Sequence, residues 1–412
     1  MSVTYREAEL DNGLRVIAEI DPDAVSSAAG FFVRTGARDE DPAIMGVSHY
    51  LEHMMFKGTA ELSADDINLG FDRMGARNNA FTTGEMTAFH AHVLPERLGE
   101  AVDLLGAMMR PALRQDDFDT EKQVILEEIA MYADNPFWVL YEQTVDRHYR
   151  PHGLGHRVLG TPETVAGMTR EQMLAYFEDR YSADNTVVSL AGNVDFDAMV
   201  DRVAGVCSGW GSTGADRDES RPEVRHSSFT LRDPRVNRGY VVMVSEGPAV
   251  ADDERYAASA LAYVLGGSDN SRLHWALIEE GLAEEAQAAY SGHAGTGDWF
   301  VYASGDPEKL DEIVGVIDRE VEGLVGSLQE SDLELLRNKL ATSATLSGER
   351  PEGRMQRLGQ QWTTIGSYRS LEDDLATIRA LTIDDLRRVS ERYPLRPATV
   401  GRMLPGEAPD SV

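Results

Sequence analysis

His49-Tyr50-Leu51-Glu52-His53 places two imidazoles four residues apart with a carboxylate between them. On a helix, positions i, i+3 and i+4 share one face, so both rings can reach one point and Glu52 stands beside it. Neutral imidazole nitrogen and carboxylate oxygen are donors that zinc accepts, and a catalytic zinc keeps one position open for water. Histidine is scarce, with 10 in 412 residues, so a close pair is informative. The competing reading is two surface histidines on an ordinary helix, and a third ligand would decide between them.

The stretch from Asp116 to Ala133, DDFDTEKQVILEEIAMYA, offers that ligand. Its acidic start suits a helix N-terminus, and Val124, Ile125 and Ile129 form an apolar stripe at helical spacing. Glu121 and Glu128 are two turns apart and lie on nearly the same face. Glu127 is rotated about 100° from Glu128 and points elsewhere. Glu128 is therefore read as the third ligand, and Glu121 as a group behind it that orients a ligand or the attacking water.

These residues sit among others that resemble the pitrilysin/insulinase/mitochondrial processing peptidase family of zinc endopeptidases, the inverzincins, whose H-x-x-E-H inverts the commoner H-E-x-x-H. The resemblance runs from NGLRV at Asn12 through HYLEHMMFKGT at His49 to NNAFTTGEMTAFH at Asn78. It continues with EKQVILEEI at Glu121, GLGHRVLGTPETV at Gly153 and YSADNTVVSLAGN at Tyr181. It implies zinc held by His49, His53 and Glu128, with Glu52 as general base. It also matches Glu121 to the family's additional glutamate, and Asn79, Ala80 and Phe81 to the segment bordering the cleft. One departure stands out. Relatives carry an Arg and a Tyr in the second half that hold substrate, where this chain has Ile278 and Glu284. The family architecture surrounds its cleft with more domains than one such chain provides. The resemblance thus implies a dimer, either a homodimer or a heterodimer with a metal-free homologous subunit that supplies the Arg/Tyr pair. A non-catalytic scaffold of the same fold is the remaining alternative.

A chain of this length needs more than one core. Hydrophobic residues make up 42%, as in ordinary globular proteins. A net charge of −31 argues against nucleic acid as a partner, and a negative cleft would favour basic peptides. Cys207 is the only cysteine, which rules out an intrachain disulfide and fits a reducing compartment. The N-terminus shows no signal-peptide pattern, and no apolar run is long enough to span a membrane. A cytoplasmic location is expected.

The chain repeats itself at half length. PERLGEAVDLL at Pro95 answers PEKLDEIVGVI at Pro307, and TREQMLAYFEDRY at Thr169 answers TIDDLRRVSERY at Thr382, offsets of 212 and 213 residues. Thr169 and Thr382 each look like a helix N-cap, with Gln172 and Asp385 three residues on. The same offset carries His49, Glu52, His53 and Glu128 to Leu261, Val264, Leu265 and Leu340. The second half is therefore expected to keep the fold without the metal. Two homologous α+β domains are expected, 1–212 with the zinc site and 226–412 without it, joined by a linker at 213–225. Each should be a mainly antiparallel sheet with helices packed on one face. Strands are expected near Ala28 to Val33 and Tyr240 to Val244. The segment Asn78 to Val93 reads as a strand with a bulge or turn at Gly84. Its edge could accept an extended peptide as an added strand.

Overall fold

The computed structural model describes residues 3–224, 226–267 and 269–407. Within the expected divisions, Met1, Ser2, Arg225, Ser268 and 408–412 lie outside the described residues. Two compact units are present, both α+β.

Unit 1 is built on a six-stranded sheet: β1 (Thr4–Glu9), β2 (Arg15–Ile20), β3 (Ser27–Val33), β4 (Arg77–Thr82), β5 (Thr87–Val93) and β6 (Thr186–Gly192). The strand order is β1-β2-β6-β3-β5-β4. Only β2 and β6 run parallel; the other neighbours are antiparallel. The segment read as one strand from Asn78 is a hairpin, β4 and β5, with Gly84 in the connecting turn. Helices Leu98–Met108 and Phe196–Val206 pack on one face with α1 (Val47–Met55). Ala29, Phe31 and Val33 of β3 point into that core.

The alternate residues Ala28 and Phe32 point the other way and are just as buried. They are covered by the helix Pro351–Ile365, whose Met355 and Leu358 complete a second apolar cluster. Such coverage explains why β3 reads SAAGFFV with no polar alternation. Ion pairs hold the same helix down: Arg357 and Arg354 engage the buried Glu19 of β2. Gly359 lets the helix lie close, since a Cβ there would meet the Phe32 ring at 2.4 Å. Gly359→Ala is expected to cost about 1–3 kcal/mol of unit 1 stability, read by urea unfolding. An unchanged midpoint would mean that the helix has room to lift.

Unit 2 repeats the plan with β7 (Ser227–Asp233), β8 (Gly239–Gly247), β9 (Ala283–His293), β10 (Thr296–Gly305) and β11 (Thr399–Pro405), in the order β7-β11-β8-β10-β9. This matches β2-β6-β3-β5-β4 strand for strand, including one parallel pair, β7 with β11. Both expected capping boxes are present, at Thr169 and at Thr382. Val241 and Met243 of β8 face one core, while Val242 and Val244 face Leu140 of the helix Pro136–Tyr149.

The compact units are not continuous in sequence. Unit 1 takes residues up to Ile129, His156–Asp218 and Thr345–Arg369; unit 2 takes Ala130–Gly155, Glu219–Ala344 and Ser370 onward. Each half thus lends one helix to the sheet of the other, which the division into 1–212, 213–225 and 226–412 does not describe. The linker is also firmly held at several points. Arg217 is 6% exposed and forms a bidentate pair with Asp39, at 2.8 and 2.6 Å. Arg38 pairs with Glu85 at 2.7 Å in the same buried group.

Candidate active site

Helix α1 starts where the chain can turn sharply. Gly46 has φ 94°, and a Cβ there would meet Leu159 O at 2.7 Å. The first turn is satisfied by the buried Glu40, whose two oxygens accept from Gly46 N (2.7 Å) and Ser48 N (2.8 Å). Burial pushes the Glu40 carboxyl up to about 8, against the pull of those two amides. Ser48 Oγ bonds Tyr176 OH, which bonds Thr35 Oγ1, at 2.8 and 2.7 Å. Tyr50, Leu51, Met54 and Met55 anchor the opposite side of α1 in the core.

The helix Gln115–Ala133 is set against α1 by Tyr50, which stacks on Phe118 and donates to its carbonyl oxygen. Phe118, Glu121, Ile125 and Ile129 form its buried face. Val124, read as part of the apolar stripe, is 44% exposed: it lies one residue off the 118-121-125-129 row, far enough to rotate outward. Glu127 is exposed and Glu128 half-buried, as their angular separation requires.

His49, His53 and Glu128 converge, with ligand atoms all within 4.8 Å of one another. Among the described residues this is the one group of His, Cys, Asp and Glu side chains with that spacing. Glu128 Oε2 is 3.8 Å from Nε2 of both histidines. That is too long for hydrogen bonds. It is close to the roughly 3.4 Å separation of neighbouring donors in a tetrahedral zinc site with ordinary bond lengths. Burial, then the neighbouring His53, holds His49 down at about 4, so its ring is neutral near pH 7, the form that binds metal. His53 Nδ1–H donates to Glu121 Oε1 at 2.8 Å, which leaves Nε2 free to face Glu128. Burial pulls His53 down, but the bond and charge of Glu121, with Glu52 and Glu128, outweigh it and raise its pKa. The donor set fits zinc.

Two contacts were not singled out from the sequence. Lys57 Nζ is 2.5 Å from Glu121 Oε2, so the carboxylate behind His53 is itself fixed by a cation. Its signal was a lysine four residues after His53; it sits in the turn just past the end of α1. Thr82 Oγ1 donates to Glu52 Oε2 at 2.5 Å; it falls in the NNAFTT segment, on the same strand face as Ala80. Burial raises the Glu52 pKa, and the nearby Glu128 adds to the rise, against Thr82 and His53. Asn79, Ala80 and Phe81 lie on β4, the edge strand of the sheet. Asn79 is exposed, Ala80 packs against the main core, and Phe81 packs edge-on to Phe32 in the second cluster.

In unit 2 the counterparts of the ligands are structural. Leu261 and Leu265 are fully buried, and Val264 and Leu340 pack against the same core. Ile278 packs there too, and Glu284, at the start of the edge strand β9, pairs with Arg238.

Comparison with known proteins agrees with this division. The model of insulinase (peptidase family M16) matches residues 15–162, and that of the family's inactive domain matches 167–340. A zinc protease of Streptomyces coelicolor is 32% identical over 94% of this chain and 86% of its own length. The Bacillus subtilis zinc protease YmxG is 31% identical over 90% of this chain and 91% of its own. The crystal structure of a protease from Helicobacter pylori superposes with a TM-score of 0.88, at 19% identity, over 97% of this chain and 99% of that one, which shows the shared fold. With its three donors in place in the first half and aliphatic residues at their counterparts in the second, the chain belongs to peptidase family M16 and is a zinc metallopeptidase.

Proposed function

We propose that the chain cleaves peptide bonds in unfolded or flexible peptides that pair with the free edge of β4. The observation that carries this reading is the placement of Glu52. Its carboxylate lies on the metal-facing side of α1 and is bonded to Thr82, the last residue of the edge strand. A peptide added to β4 would run past the base and the metal ligands together. Asn79 would meet it at the exposed edge, while Ala80 and Phe81, whose side chains pack inward, would contribute backbone groups.

His49, His53 and Glu128 would hold zinc, which supplies Lewis acidity to a water and to the peptide carbonyl oxygen. Glu52 takes a proton from the attacking water and returns it to the leaving amine. Burial raises its pKa, and that makes it the better proton carrier near neutrality. Glu121, held by Lys57, keeps the His53 ring in one orientation and tautomer.

Backbone pairing is tolerant of sequence, so flexibility of the substrate is the main requirement. The charge of −31 adds a preference for basic peptides. The test is to incubate the zinc-loaded chain with one polypeptide in folded and unfolded forms and identify products by mass. Cleavage of the unfolded form alone supports the reading. Equal cleavage of both would overturn strand addition.

A second reading concerns assembly. Ile278 and Glu284 stand where relatives carry the Arg/Tyr pair, and Glu284 is already paired with Arg238. This favours a dimer in which a metal-free homologous subunit supplies the pair; a homodimer would have to work without it. A non-catalytic scaffold is disfavoured by the intact donor set. No helix among the described residues is long and apolar enough to cross a membrane. We place the protein in the cytoplasm; its single cysteine, Cys207, fits a reducing compartment.

A further inference from the structure

The bond between Thr82 and Glu52 joins the edge strand to the catalytic helix. A glutamate has three side-chain torsions, so a Glu52 carboxylate held by nothing would sample several orientations. The hydroxyl of Thr82 donates to Oε2 at 2.5 Å, the length of a charge-assisted O–H···O bond. The carboxylate is then held by one oxygen, with the other left for the water.

The donor is itself held rigidly. Thr82 pairs with Thr87 at the last rung of the β4–β5 ladder. Thr87 is fully buried and its hydroxyl donates to Thr35 O at 2.9 Å. Thr35 Oγ1 bonds Tyr176 OH, and Tyr176 OH bonds Ser48 Oγ, one residue before His49. Donor and acceptor are therefore tied to the same buried chain of hydroxyls, from the strand at one end and from α1 at the other.

We propose that Thr82 is the positioning residue of the general base, fixing the Glu52 carboxylate toward the water and coupling it to the strand that receives the peptide. This rests on the reading of Glu52 as general base. A catalytic group must be held to within a fraction of an ångström, and a 1 Å displacement can cost on the order of 100-fold in rate.

The test compares the zinc-loaded full chain with Thr82→Val and Thr82→Ser. Valine keeps the branched shape that suits a strand and removes only the donor. Expected for valine is a fall in kcat of about 10- to 100-fold, with KM and zinc content unchanged; serine should restore most of the rate. A valine variant with unaltered kcat, a rise in KM alone, or a serine variant as slow as valine would overturn the proposal. Crystal structures of the chain and of the valine variant give a readout independent of turnover. One Glu52 orientation in the former and several in the latter supports positioning, and identical density in both overturns it. A chain that cuts no peptide at all would defeat the functional reading, while the crystallographic comparison would still decide the role of Thr82.

Discussion

Replacing Glu52 by Gln is expected to lower kcat by about 10²- to 10⁴-fold, the usual contribution of a general base, with zinc content unchanged. The amide has nearly the same shape and can still accept from Thr82 Oγ1, but it cannot take a proton from water. His49, His53 and Glu128 converge without Glu52, so metal retention separates loss of chemistry from loss of the site. Metal analysis and steady-state cleavage of an unfolded peptide on one preparation make the measurement. Activity within about threefold of the unaltered chain, far short of the loss expected for a base, would show that another group takes the proton. Loss of zinc along with activity would place Glu52 among the ligands instead.

The other large effect belongs to stability. Arg217→Ala is expected to destabilise unit 1 by about 3–5 kcal/mol, as when one member of a buried ion pair is removed. Its guanidinium holds both oxygens of Asp39, and the two side chains are about 1% exposed. Without it, Asp39 is a buried carboxylate that has lost its cation, while Glu85 keeps its pair with Arg38. The effect should reach the metal helix, because Glu40, which caps α1, is the next residue in the chain. Urea unfolding followed by tryptophan fluorescence reads the loss. A change under about 1 kcal/mol, in the range of an exposed pair, would mean that water reaches Asp39 once the guanidinium is gone.

The metal site was legible because helical spacing is rigid. Once His49 and His53 are on one helix, their relative geometry follows, and the two-turn spacing of Glu121 and Glu128 identifies the facing helix. The repeat was legible because both halves need the same caps and turns, at Thr169 and Thr382 among others. Lys57 and Thr82 were harder to see. Each acts by meeting a residue distant in sequence, Glu121 or Glu52, at a point fixed only by tertiary packing. The exchanged helices were harder still. The apolar face of Pro351–Ile365 shows that the helix must be covered, but not by which sheet. The choice rests on fits such as Gly359 against Phe32, and on pairs such as Arg357 with Glu19, 338 residues apart. Nothing in the linker sequence says what holds it, yet Arg217 ties it to Asp39 from a buried position.

The exchange of helices also bears on how the protein is made. The outer face of the first sheet, with Phe32, Val187 and Ala191, is completed by Met355 and Leu358. During synthesis that face stays bare after Asp218 has left the ribosome, until the segment ending at Arg369 follows. At ordinary elongation rates the interval is roughly 10 to 30 s. The nascent chain therefore carries a half-covered sheet for much of its translation, and the ordering of the protease waits on the last part of the message rather than the first.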